Sequence, residues 1–111
     1  VRRTAEDGAA TVLVVAMAGV LMFVMVGLAA AGGLVTAQRR AQAAADLAAL
    51  AGAASPELAC SRAAEVALAN TAVLDRCLVE GREVRVEVSV AGPPVPWREV
   101  RVTAEARAGP A

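Results

Sequence analysis

Residues Ala9–Ala37, AATVLVVAMAGVLMFVMVGLAAAGGLVTA, contain no charged side chain, and Thr11 and Thr36 are their only hydroxyl residues. The uncharged stretch extends from Gly8 to Gln38, between Asp7 and Arg39. As a helix, residues 8–38 would run roughly 46 Å, against a bilayer hydrocarbon core about 30 Å thick. Such a run reads as a membrane span with length to spare, and membrane lipid is the partner it requires. A buried core helix is the globular alternative. It fails because a chain of 111 residues has too little material to wrap an apolar cylinder of this length. A cleavable signal peptide is a closer rival, since Arg2-Arg3 precede the run and Val35-Thr36-Ala37 could be cleaved before Gln38. Signal h-regions extend over only about 7–15 residues, so the length favours a retained anchor.

Composition narrows the function classes. Hydrophobic residues make up 58% of the chain but aromatics only 2%, so the apolar content is Ala, Val and Leu, and any soluble core is thin. The 11 basic and 11 acidic residues cancel and are dispersed, which leaves no electrostatic footprint for nucleic acid. Histidine is absent, the serines lack a general-base partner, and glycine-rich phosphate loops and zinc spacings are missing. The chain therefore reads as a non-enzyme with no cofactor, no metal and no small-molecule substrate.

Orientation does not follow from charge, because Arg2-Arg3 on one flank face Arg39-Arg40 on the other. A short N-flank and a C-terminal cysteine pair point to an N-terminus in the cytoplasm and a C-terminal unit outside. Small residues at Gly27 and Ala31, and at Ala29 and Gly33, would let a second helix approach the span.

Beyond the span the pattern turns amphipathic without a break. Gln38, Gln42 and Asp46 share one stripe at i, i+4 and i+8, while Ala43, Leu47, Leu50 and Ala51 are read as the apolar face. The helix is expected to continue to Gly52, ahead of Ser55-Pro56.

The segment Gln42-Ala43-Ala44-Ala45-Asp46-Leu47-Ala48-Ala49-Leu50-Ala51-Gly52 resembles the Q-x-A-A-D-x-A-A-L-A-G signature that follows the N-terminal span in TadE/TadG-like proteins. Its matching positions are Gln42, Ala44, Ala45, Asp46, Ala48, Ala49, Leu50, Ala51 and Gly52. Asp7-Gly8-Ala9 also resembles that family's entry to the hydrophobic helix, with Gly8 as a helix-entry or processing position. The layout is most similar to a small actinobacterial TadE-like group, in which a Cys-bearing helix and a Val-rich C-terminus follow. The resemblance implies a minor-pilin or pseudopilin-like component of a tight-adherence (Flp, type IVc) pilus or related secretion machine. Its partners would be other pilin-like or Tad subunits, met through the N-terminal helix, and it implies no catalysis. One departure stands out: Flp-type prepilins carry a Glu just inside the apolar segment, and positions 9–37 here have no acid.

Ser55-Pro56-Glu57 reads as the start of a second helix, with Ser as N-cap and Pro at N1. Its end decides whether Cys60 and Cys77 can pair. A straight helix to Leu74 would place Cys60 about 21 Å from Leu74, too far for the roughly 11 Å reach of the next three residues. If Asn70 is a left-handed C-cap, Cys60 lies only about 15 Å from the turn and the chain can double back to a disulfide. Two cysteines without histidine supply too few ligands for zinc.

Period-two alternation then takes over. Val84, Val86, Val88 and Val90 alternate with Arg85, Glu87 and Ser89, and Val100, Val102, Ala104 and Ala106 with Arg101, Thr103, Glu105 and Arg107. A hairpin joining the two through Ala91–Pro96, with Val73–Val79 as a further strand, would make a meander. The Cys60 helix is the nearest cover for its valine face, and Trp97 is expected to pack on the sheet edge. The fold class is thus α+β and membrane-anchored: a long N-terminal transmembrane helix, a second short helix, and a small antiparallel meander of two or three strands. Its segments are an N-flank at 1–7, the transmembrane helix at 8–38, an extracytoplasmic extension at 39–54, and a small α+β unit at 55–111.

Overall fold

The computed structural model describes residues 2–110, with side chains from Ala5 onward. The Arg2-Arg3 side chains, on which the charge balance across the span partly rests, lie outside that description. Helix α1 spans Arg2–Ala54, a 3-10 turn spans Pro56–Leu58, and α2 spans Ala59–Ala69. Strands β1 (Val73–Glu80), β2 (Glu83–Ala91) and β3 (Arg101–Ala108) follow. The chain forms two compact units, one ending at Gly32 and one from Gly33 to Ala111.

In the first unit α1 carries its apolar side chains uncovered. Val12, Leu13, Met17, Leu21, Phe23 and Val26 are all exposed, Phe23 to 82%. Water does not tolerate so large an apolar surface, and this helix is long and apolar enough to cross a membrane. Gly8 lies inside α1, with helix on both sides, so it is not the point where the helix begins.

The second unit is a meander with strand order β1-β2-β3 and antiparallel neighbours. Gly81, at positive φ, is the first of the two residues between β1 and β2, the position at which a tight II′-type hairpin favours glycine. Central strand β2 follows its alternation closely. Val84, Val86, Val88 and Val90 are at most 2% exposed on the inner face, and Arg85 and Glu87 are half-buried on the outer one. On that outer face direct neighbours carry like charge, Arg85 opposite Arg107 and Glu87 opposite Glu105. Diagonal pairs relieve the repulsion: Arg85 to Glu105 at 3.7 Å and Arg107 to Glu83 at 3.5 Å. The partners are largely exposed, so each pair is worth no more than about 1 kcal/mol.

Three expectations change. The cover on the valine face is shared: Ala59, Ala63 and Ala67 come from α2, but Ala37, Ala41, Ala44, Ala45, Ala48 and Ala49 of α1 belong to the same core. The face of α1 that packs is this alanine stripe, while Leu47 and Leu50 point outward at 46% and 60% exposure. Side-chain size alone does not mark the packed face. The sheet instead selects the smallest side chains, which let the helix backbone come close. Third, Trp97 does not pack on the sheet edge; it is 80% exposed.

The start and end of the second helix also differ in detail. Ser55 makes no side-chain cap bond, and Pro56–Leu58 form a 3-10 turn before α2 begins. At the other end Asn70 follows the last helical residue with φ −102°, and the left-handed residue is Thr71 at φ 60°. The Thr71 amide donates to the Leu68 carbonyl and the Ala72 amide to the Ala67 carbonyl, the paired bonds of a Schellman motif. Asn70 closes the turn from its side chain, Nδ2 donating to the Val66 carbonyl at 2.8 Å.

Candidate assembly interface

The residues singled out from the sequence gather mainly on the last four turns of α1. Ala37, Ala41, Ala44, Ala45, Ala48, Ala49 and Gly52 recur at steps of three and four, which places them on one face of a 3.6-residue helix. That face lies against the valines of β2. A Cβ built on Gly52 would stand 3.0 Å from Val84 Cγ1 and 3.1 Å from the Ala59 carbonyl oxygen, so a methyl group there needs Val84 or the α2 backbone to give way.

Gln42 and Asp46 flank this stripe. Gln42 Nε2 donates to Asp46 Oδ1 at 3.1 Å, the one-turn contact their spacing allows, and at longer range to the Glu105 carbonyl at 3.4 Å. The second contact has a specific meaning. The Gly92 amide donates to the Val100 carbonyl at 2.7 Å, which fixes the phase of the β2–β3 ladder. In an antiparallel ladder bonded pairs alternate, so even-numbered residues of β3 bond to β2 and the carbonyls of Arg101, Thr103, Glu105 and Arg107 face the open edge. Gln42 therefore occupies one acceptor on an edge strand, tying α1 to the last strand of the sheet. Nothing in the local spacing of Gln42 announces a partner 63 residues away.

Most signature positions thus serve the molecule itself. Ala44, Ala45, Ala48, Ala49 and Gly52 seat the sheet, and Gln42 with Asp46 orients it. Leu50 is the exception, exposed on the outer side of the helix with Leu47, and Ala51 is half-buried. The disulfide secures the opposite edge: Cys60, in the first turn of α2, is bonded to Cys77 in the middle of β1, with Cα atoms 5.8 Å apart. Ala37 and Ala41 extend the stripe toward the apolar run, and their signal was the four-residue spacing that leads into Ala45.

Chemically the surface is poor. Among the described residues no group of three or more His, Cys, Asp or Glu is placed to hold a metal. The outer face of the sheet has a shallow depression of about 220 Å³ lined by Arg76, Leu78, Arg85, Val86, Glu87 and Glu105, in which opposite charges alternate. What the molecule offers a partner is apolar area: the uncovered part of α1 and the outward leucines beyond it.

Comparison with known proteins agrees with that division. Residues 8–55 match the model of the Flp pilus-assembly TadE/G-like family. The matched segment begins at Gly8, ends at Ser55 just past α1, and leaves α2 and the sheet outside it. No curated protein and no solved structure matches the chain.

Proposed function

We propose that this chain is a pilin-like or pseudopilin-like structural component of a Tad (Flp, type IVc) pilus or a related secretion machine, of the small actinobacterial type. It is anchored in the cytoplasmic membrane by α1 and assembles with other Tad subunits through that helix. The observation that carries this reading is the coincidence of the family match with one element: residues 8–55 are the helix whose first part is apolar and uncovered and whose last part docks a sheet. An apolar helix that leaves its own folded unit bare needs lipid before assembly and apolar neighbours after it, and the same surface suits both.

The Cys60–Cys77 disulfide supports the orientation. Such bonds persist in oxidising compartments, so the unit that carries it lies outside the cytoplasm and the N-terminus inside. Gly8 remains a candidate processing position, although no acid follows it inside the apolar run.

Mass spectrometry of sheared surface filaments, compared with washed membranes from the same cells, tests the proposal. A polymerising or filament-capping subunit is recovered in the filaments with its Cys60–Cys77 peptide still linked. Recovery from membranes alone, with filaments present but free of this chain, would replace the pilin reading by that of a non-polymerising single-span adaptor.

A further inference from the structure

The loop between β2 and β3 is the one well-exposed aromatic feature of the folded unit, and neither the core nor the helix-borne interface uses it. From Val88 through Trp97 there is no charged residue; residues 92–100 form the connection, and its charged end, Arg98-Glu99, is tied back to β3 by the Glu99–Arg101 pair at 3.7 Å. The Arg98 amide donates to the Val95 carbonyl at 3.4 Å, and Val95 bridges Arg98, which closes a tight turn with Pro96-Trp97 at its tip. Pro at the first central position pre-sets the backbone for such a turn. The indole at the tip is 80% exposed.

The place of this loop along α1 is fixed by one contact. A Cβ on Gly33 would meet Pro93 Cγ at 3.1 Å, so the loop seats on the helix at a residue without a side chain. Gly33 lies within the same compact unit as the loop and still inside the uncharged run that ends before Arg39. A span of about 20 residues fills a hydrocarbon core. Counted from Ala9, Gly33 falls about 7 Å beyond its end, in the headgroup zone of a bilayer about 40–45 Å thick overall. Trp97, four residues from Pro93, is held within about 14 Å of that level.

We infer that the Pro93–Trp97 loop is a second membrane contact, with Trp97 in the interfacial zone of the bilayer that α1 crosses. Indole is suited to this depth, with an apolar ring for the acyl boundary and an N–H for the headgroups. The prolines lower the cost of entry, since Pro93, Pro94 and Pro96 bring no amide N–H to desolvate. Arg98, exposed beside the indole, supplies a cation for lipid phosphate.

This inference rests on the membrane-span reading, and the test separates the two. Trp97 is the single tryptophan and the chain has no tyrosine, so tryptophan emission reports this one position. The oxidised full chain is reconstituted at high lipid excess into vesicles of mixed phosphatidylcholine and phosphatidylglycerol, with lipids brominated high or low on the acyl chain. The expected result is emission blue-shifted from that of the chain in denaturant, with stronger quenching by the shallow bromines than by the deep ones. A chain that floats with vesicles and resists alkaline carbonate, yet keeps water-like emission insensitive to both lipids, would overturn the loop contact and leave the anchor standing. Shielding from aqueous acrylamide without bromine quenching would overturn it in favour of a protein contact. Failure to float would remove the span reading, and the loop contact with it.

Discussion

At the scale of single residues this molecule is governed by what is missing from its side chains. The docking face of α1 consists of six alanines and Gly52, and their small size sets how closely helix and sheet can approach. The stripe was written in the sequence as the i, i+3, i+4 recurrence of alanine, but alanine is so abundant here that the stripe does not stand out from its background. Larger apolar side chains usually mark a core, but here Leu47 and Leu50 are the outward ones. Gly52 offers the clearest check. Gly52→Ala adds a methyl group against Val84 and the Ala59 carbonyl, an overpacking cost of about 1–3 kcal/mol. Against this stands a gain of up to about 1 kcal/mol from helix propensity. The net expectation is destabilisation by about 1 kcal/mol in denaturant titrations of the full chain in micelles. Gly27→Ala, where nothing lies within 4 Å, should show only the propensity gain. Equal midpoints for the two variants would mean that Gly52 is not tightly packed.

Among the elements, those carrying a strong periodic signal were legible. The valine alternation of β2 and the reach argument for Cys60 and Cys77 both rest on fixed geometry, a period of two and a rise per residue, and the sheet and the disulfide follow them. Less legible was the pairing of elements distant in the chain. Gln42 bonds across the edge of β3, and α1 shares with α2 the cover of the valines, neither of which a local pattern encodes. The turn after α2 shows the same limit on a smaller scale. Asn70 stands at the helix end, while the left-handed conformation falls one residue later, on Thr71, because the Schellman bonds of Thr71 and Ala72 set that phase. The disulfide joins residues 17 apart, and closing a loop of this size contributes about 3 kcal/mol. Cys60→Ser with Cys77→Ser should therefore lower the unfolding free energy by about that amount, and reductant should do the same to the unsubstituted chain but not to the variant. A loss well under 1 kcal/mol would show that the alanine–valine core holds α2 and β1 without it.

On the scale of the whole molecule, one continuous helix carries two kinds of surface. From Gly8 to Gly32 its surface is apolar and uncovered; from Gly33 to Ala54 it is faceted, with small residues toward the sheet and polar groups and leucines outward. The family match covers this helix, so the segment shared with TadE/G-like proteins is the one that joins a membrane-compatible surface to a folding platform. In the proposed role both parts are needed on one chain, the platform to present the folded unit and the apolar part to make the contacts of anchoring and assembly. The claim stands or falls with retention of the apolar run in the mature protein. Intact-mass spectrometry combined with N-terminal sequencing of the protein purified from cells measures this directly. The mature chain is expected still to contain Ala9–Ala37; a mature chain beginning at Gln38 would show that the apolar run is a cleaved signal and not an anchor.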